Sequence, residues 1–368
     1  MYTDLCERAG IRYPIFAFSH CRDVVAAVSL AGGMGVLGTT RFSPEQLERE
    51  LAWLDRKLDG KPYGVDLIFA GEGPEPGDDS GLPEGHRQFV RSLIERFGIP
   101  PSSGTALEQF GVGRNLVMTG RHAQEICDVA MRHPVRLLAS ALGPAPAAIV
   151  AQAKVRGMLI AGLVGRVAHV RRHVSGGSDL IVATGTEAGG HCGEIGTLAL
   201  VPQIMRAAGD LPVLAAGGIA TGEQIAACIA LGAQGVWTGS LWLTTVESDL
   251  DPVVKRKLLA AGSEDAIRST AMTGKPSRVL ANAWVRAWQE PGAPAPLPAP
   301  WQGMLNEGAL SGAYERRMED LMGTPVGQGV GLMRDTESVR DVFRRLLEEY
   351  GTAAERAQAL YERSLQKG

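Results

Sequence analysis

The chain has 368 residues, 45% of them hydrophobic, so it can bury a large core and is not a disordered polypeptide. Thirty-seven basic against 40 acidic residues leave a net charge of -3, with no basic excess to suggest a nucleic-acid surface. No apolar run is long enough to span a bilayer, the five cysteines are scattered, and no basic-then-apolar leader opens the chain, so the expectation is a soluble cytoplasmic protein.

Short runs rich in β-branched residues fall at Pro14–Phe18, Met34–Gly38, Pro62–Phe69, Val135–Ser140, Met158–Gly162, Asp179–Thr184, Pro212–Ala215 and Gln234–Thr238. Amphipathic segments separate most of them, among them Ser43–Lys57, Gly143–Arg156 and Thr221–Leu231, the last with Gly232 as its C-cap. Eight strands in βα alternation predict an α/β fold, a parallel (β/α)8 TIM barrel over residues 1–290. A doubly wound sheet is the other arrangement that the same alternation admits. Residues 70–115 read as a polar insertion after the third strand, with a helix near Arg87–Arg96. In a barrel that insertion lies on the ligand-binding face, either as a lid or as a plain surface excursion. A Pro-rich linker follows at 291–302, and a C-terminal helical extension occupies 303–368. Its apolar stripe, Val339, Val342, Phe343, Leu346, Leu347 and Tyr350, ends at Gly351.

Two motifs are set aside. Gly33-Met34-Gly35-Val36-Leu37-Gly38 matches the dinucleotide fingerprint G-x-G-x-x-G, but it follows a helix and enters a strand, the reverse of the required context. It reads as a tight helix-to-strand turn. His169 and His173 stand four apart like a zinc pair, yet they flank Arg171 and Arg172 and read as a solvated basic face, so no metal is assigned. His86, His122 and His133 read as surface residues, and Cys127 and Cys228 as core.

The stretch 179–240 carries the chemistry. The sixth strand runs into Thr184-Gly185-Thr186-Glu187-Ala188-Gly189-Gly190-His191-Cys192-Gly193. A histidine among glycines just past a barrel strand leaves room for a planar ligand and has a pKa suited to general base catalysis. The alternative is a histidine merely satisfied by hydrogen bonds in its loop. Gly217-Gly218 after the seventh strand and Trp237-Thr238-Gly239-Ser240 at the eighth sit where such barrels bind phosphate. Backbone N–H groups can approach an anion there, helped by a helix N-terminus.

The segments 31–38, Tyr63-Gly64-Val65-Asp66, 185–191, 215–222 and 231–240 together resemble nitronate monooxygenases, formerly called 2-nitropropane dioxygenases. The resemblance spans about residues 10–290, with a weaker echo in Gly327-Gln328-Gly329. FMN-dependent enoyl-acyl-carrier-protein reductases share the Gly-Gly-His and Gly-Gly-Ile segments. The resemblance implies non-covalent FMN, with contacts at Asp66, Thr184, Gly189, Gly217, Gly218, Trp237, Thr238, Gly239 and Ser240. It also implies oxidation of an alkyl nitronate, a small-molecule substrate, by O2 to a carbonyl compound and nitrite. His191 takes the place of the active-site histidine, which deprotonates a nitroalkane or holds the nitronate. The alternatives are an NAD(P)H-dependent flavin reductase acting on an enoyl thioester or quinone, and a non-catalytic flavin-binding protein. The oligomeric state stays open.

The departures from the family pattern are specific. Asp66 replaces a common Asn, and an ionised Asp accepts hydrogen bonds without donating any. Thr184 replaces a common Gln. His20, a second catalytic candidate, replaces a methionine after the first strand. It either faces the flavin or swings outward to cap the next helix.

Overall fold

The computed structural model describes residues 1–69, 78–103 and 120–366. All eight predicted strands form: β1 (Ile15–Ser19), β2 (Met34–Gly38), β3 (Gly64–Ile68), β4 (Leu137–Ala141), β5 (Leu159–Val164), β6 (Leu180–Thr184), β8 (Val213–Ala216) and β9 (Gly235–Thr238). They make one closed parallel barrel, in which β9 returns to β1 with Ile15 opposite Val236. Closure decides between the two sequence readings. The fold is a (β/α)8 barrel.

Side chains alternate across each strand, and both faces are buried. Phe16, Met34, Val36, Leu137, Ala161 and Val182 fill the barrel interior. Their neighbours Ala17, Ile181 and Val213 face the outer helices. A short helix, Asp4–Ala9, adds Leu5, Cys6 and Ala9 to the interior cluster and plugs one end. Near the other end the same alternation turns Phe18, Gly38, Asp66 and Thr184 inward.

Gly32, with φ 100°, caps the helix Arg22–Ala31, so the Gly33–Gly38 run is the helix-to-strand turn that its context predicts. The C-terminal helix spans Val339–Leu365 and passes straight through Gly351, where the stripe was expected to end. One glycine costs a helix only about 1 kcal/mol. Val339, Val342, Phe343 and Leu346 belong to the same core as β1, β6 and β8. The helix packs on Gly222–Ala230 and on Arg22–Ala31, which is the place of the eighth barrel helix.

A second layer covers one end of the barrel. It contains β7 (Gly190–His191), β11 (Ser277–Leu280) and β10 (Ala266–Ser269), antiparallel in the order β10-β11-β7. The helix Glu84–Phe97 from the insertion packs there with the helix Trp301–Glu315 around Trp284 and Trp288. Residues 70–77 and 104–119, most of the remaining insertion, lie outside the described residues, and so does the lid reading.

Two histidine readings are corrected. His133 is not a surface residue: its side chain is 7% exposed and lies between Asp55 at 2.6 Å and Glu48 at 3.2 Å. His173 is buried against Gly162, where a Cβ would lie 2.2 Å from its ring, rather than on a solvated face. Cys127 and Cys228 are both in the core.

Candidate active site

Asp66 and Thr184 carry the first signal. Both point into the barrel, and Asp66 Oδ1 and Thr184 Oγ1 are buried with no hydrogen-bond partner among the described residues. An orphaned buried polar atom is costly, and natural sites retain one where a ligand satisfies it. Burial pushes the Asp66 carboxyl up to about 8, so at neutral pH it is protonated and can donate a hydrogen bond. That overturns the expectation of an acceptor-only aspartate. Its surroundings return to it the donor capacity of the common amide.

Around them stand the glycine loops. Gly217 and Gly218 follow β8 with φ 118° and 67°, and Gly217 could not carry a Cβ, which would meet Thr197 Oγ1 at 2.5 Å. Glu187 holds this corner: its two carboxylate oxygens accept from the Thr197 N–H at 3.0 and 2.9 Å. Thr197 Oγ1 donates to Glu187 Oε2 at 2.8 Å. Gly189 lies against Val326 and Gly327, again closer than a Cβ would permit. The Gly327 N–H donates to Ser240 Oγ at 2.8 Å and the Gln328 N–H to the Glu187 carbonyl at 2.8 Å. The faint Gly327-Gln328-Gly329 echo is therefore part of the same wall. The N–H groups of Gly218 and Gly239 donate to no carbonyl among the described residues.

Trp237 lies inside the barrel, stacked on Phe16 with centroids 6.4 Å apart. Thr238 turns the other way. Its hydroxyl donates to the Phe16 carbonyl and accepts from Trp242 Nε1 at 3.0 Å, so only its backbone is left for a ligand.

His191 is on β7, at the edge of the covering sheet, where Ser277 lies opposite it. Its Nε2 lies 3.1 Å from Thr273 Oγ1. Burial, with the positive charge of Lys275 nearby, lowers its pKa to about 4 and keeps the ring neutral. His20 sits at the mouth of β1, edge-on to Phe18 at 5.1 Å, with Nδ1 2.9 Å from the Gly38 carbonyl. It does not cap the next helix: the N-cap residue is Cys21, and the side chain that reaches the Cys21 N–H is Ser19, at 3.1 Å. Phe18 and Gly38 both face inward, so His20 lies on the inner rim. Glu187, Thr197, Thr273 and the buried Arg278, whose Nε donates to the Thr186 carbonyl at 2.8 Å, were not legible as site residues. Their roles arise from long-range contacts that leave no local spacing.

The family model of nitronate monooxygenases matches residues 4–349. The chain belongs to the nitronate monooxygenase family. A Mycobacterium tuberculosis protein carried under the provisional description of monooxygenase is 46% identical over 99% of this chain and 100% of its own length. Among solved structures, nitroalkane oxidase from Streptomyces ansochromogenes is 26% identical with a TM-score of 0.80, covering 96% of this chain and 99% of that one. FabK from Thermotoga maritima is also 26% identical, at a TM-score of 0.74 over 98% and 99% of the two chains. This family member is an oxidoreductase that uses a flavin, and the non-catalytic reading is set aside. The residues fit a flavin: two unsatisfied polar side chains face the barrel mouth beside glycine loops with free N–H donors. No helix is long and apolar enough to cross a membrane among the described residues.

Proposed function

We propose that this flavoenzyme uses FMN and oxidises alkyl nitronates with O2 to carbonyl compounds and nitrite. The observation that carries the proposal is His191, neutral at physiological pH and set beside the exposed Lys275. A neutral imidazole can take the α-proton of a nitroalkane, and a nearby ammonium favours the anion that this produces. Substrate supplied as the nitronate needs only the second service.

Asp66, as a protonated carboxyl, and Thr184 would hold polar edges of the flavin ring, while the Gly217–Gly218 and Gly239–Ser240 N–H groups would take its one phosphate. Among the described residues no dinucleotide-binding turn is present for an adenosine half, which favours FMN over FAD. When bound, the flavin supplies electron transfer between substrate and O2. The protein's share is to position the substrate, accept its proton at His191 and exclude water with the covering layer.

A reductase reading is favoured by the likeness to FabK. Anaerobic mixing of the purified protein with a nitronate and, separately, with NADPH distinguishes the two. Loss of flavin absorbance with nitronate and none with NADPH is expected. Bleaching by NADPH alone would replace the proposal with the reductase.

A further inference from the structure

We infer that Thr273 is a positioning residue that fixes the tautomer of His191, holding the proton on Nε2 and leaving Nδ1 as the atom that meets the substrate. The inference rests on the proposed role of His191 and adds a residue to it. Thr273 is buried, and its hydroxyl touches three groups. His191 Nε2 is at 3.1 Å, the Lys275 carbonyl at 3.2 Å and the Lys275 N–H at 3.3 Å.

A hydroxyl has one proton to give and two lone pairs to fill. The Lys275 N–H can only donate, so it takes one lone pair. The Lys275 carbonyl can only accept, and it has no other donor among the described residues. If the hydroxyl proton goes to that carbonyl, every group is satisfied, provided that His191 Nε2 carries a proton and donates to the remaining lone pair. If the hydroxyl instead donates to Nε2, the Lys275 carbonyl loses its donor. The first arrangement saturates the hydroxyl and wins by one protein hydrogen bond. Nδ1 is then the unprotonated nitrogen, and it has no partner among the described residues.

The loop that presents Thr273 is held firmly. Asn306 Nδ2 donates to the Ala271 carbonyl at 2.7 Å and to the Met272 carbonyl at 3.2 Å, and Gln302 Nε2 reaches the Ala271 carbonyl at 3.0 Å. Both side chains are buried on the helix Trp301–Glu315. On the far side Gly274, with φ 79°, lies so close to Leu297 and Ala299 that a Cβ would sit 2.3 Å from the Leu297 carbonyl. Thr273 therefore cannot easily follow His191 if the ring turns.

The test is nitrogen-15 NMR of the full-length protein labelled at histidine, with the His191 signals identified by their loss in His191→Gln. Wild type is expected to show the Nε2–H tautomer of His191. Thr273→Val keeps the shape and removes the hydroxyl, so it should mix the tautomers and lower kcat on a nitroalkane roughly 10–100-fold, the scale on which partners that orient a histidine act. Thr273→Ser should restore both readings. An Nδ1–H tautomer in wild type, or an unchanged tautomer in folded Thr273→Val, would overturn the inference. The NMR reading needs no turnover, so it separates failure of this inference from failure of His191 as a base.

Discussion

The Gly222 N–H donates to the Glu349 carboxylate at 2.7 Å, joining the helix after β8 to the C-terminal helix. Gln224 Oε1 accepts from Ala220 and Thr221 and Thr221 Oγ1 accepts from Gln224, so of the donors at this helix start the Glu223 N–H has no acceptor among the described residues. The Glu349 carboxylate therefore already takes one of the N–H groups at the helix N-terminus that the sequence offered to a phosphate. An anion at this corner depends on the glycine loops. Gly222 is required here for another reason: a Cβ would lie 2.2 Å from the Leu346 carbonyl.

Replacing Glu349 by Ala should cost about 1–2 kcal/mol of stability, since it removes a charged acceptor from a helix N-terminus. Urea unfolding would measure it. FMN affinity should stay near wild type. A tenfold or greater change in FMN affinity would show that this helix end serves the phosphate after all.

Gly239→Asp should abolish or strongly weaken FMN binding, whereas Gly239→Asn should retain it. The backbone at Gly239 has a negative φ, -136°, and an added Cβ would meet only Phe18 at 3.9 Å. The comparison therefore isolates charge from fit. Gly218 is a poorer site for this test, because its Cβ would collide with Glu187 at 2.9 Å. Equal FMN affinity of the two variants in equilibrium titration would place the phosphate elsewhere.

The barrel was legible because each of its strands is a continuous apolar run with its own turn signals, and because parallel strands read the same on both faces. The candidate site was legible for a related reason: Gly217-Gly218 and Gly239-Ser240 directly follow strands and His191 stands a few residues beyond β6, where such a fold binds its ligands. The covering layer was not. β7 has two residues, and its partner Arg278 is 88 positions beyond Gly190, so no local pattern announces the pairing. Thr273 looks like any loop threonine until β11 brings it to His191. The charge state of Asp66 was also hidden, because its desolvation follows from barrel closure and not from its neighbours in sequence.

Asp66 should make flavin binding depend on pH. Burial raises its pKa to about 8, so the donor form prevails below that value and is lost above it. Wild-type FMN affinity should fall as pH rises through about 8, and Asp66→Asn, a donor at every pH, should bind FMN without that loss. The same shift acts on stability. The folded protein holds a proton that the unfolded chain releases near its ordinary pKa, so this residue stabilises the fold at low pH and loses that contribution as pH rises towards about 8. A flat wild-type affinity between pH 6 and 9 would mean that the carboxyl does not donate to the flavin.

His191→Ala should lower turnover of a neutral nitroalkane by roughly 10²–10⁴-fold while FMN stays bound. The loss on pre-formed nitronate should be smaller, since no proton then has to be removed. Because the folded-state pKa is depressed to about 4, the acid limb of the wild-type kcat/KM profile on nitroalkane should lie well below the ordinary histidine value. Unchanged turnover on both substrates would remove His191 from the mechanism.

His20 offers the last test, because it has the same depressed pKa without the same position. Burial and the nearby Arg41 lower it to about 4, and its Nδ1 faces a carbonyl that can only accept. The ring is therefore neutral with its proton on Nδ1, and Nε2 is an acceptor; at neutral pH it has no proton to give a substrate. His20→Met should accordingly shift the bound flavin's absorbance, through the changed contact on Phe18, yet leave the pH profile of turnover unchanged between pH 6 and 9. The variant should differ in acid. Between the ordinary histidine pKa and about 4 the unfolded chain takes up a proton that the folded His20 refuses, so wild type loses stability as pH falls through that window. Urea unfolding at pH 7 and pH 5 should show a smaller acid loss in His20→Met than in wild type. A turnover profile displaced near neutrality would instead make His20 a proton donor in the reaction, and an equal acid loss would show that its ring is not held neutral by the fold.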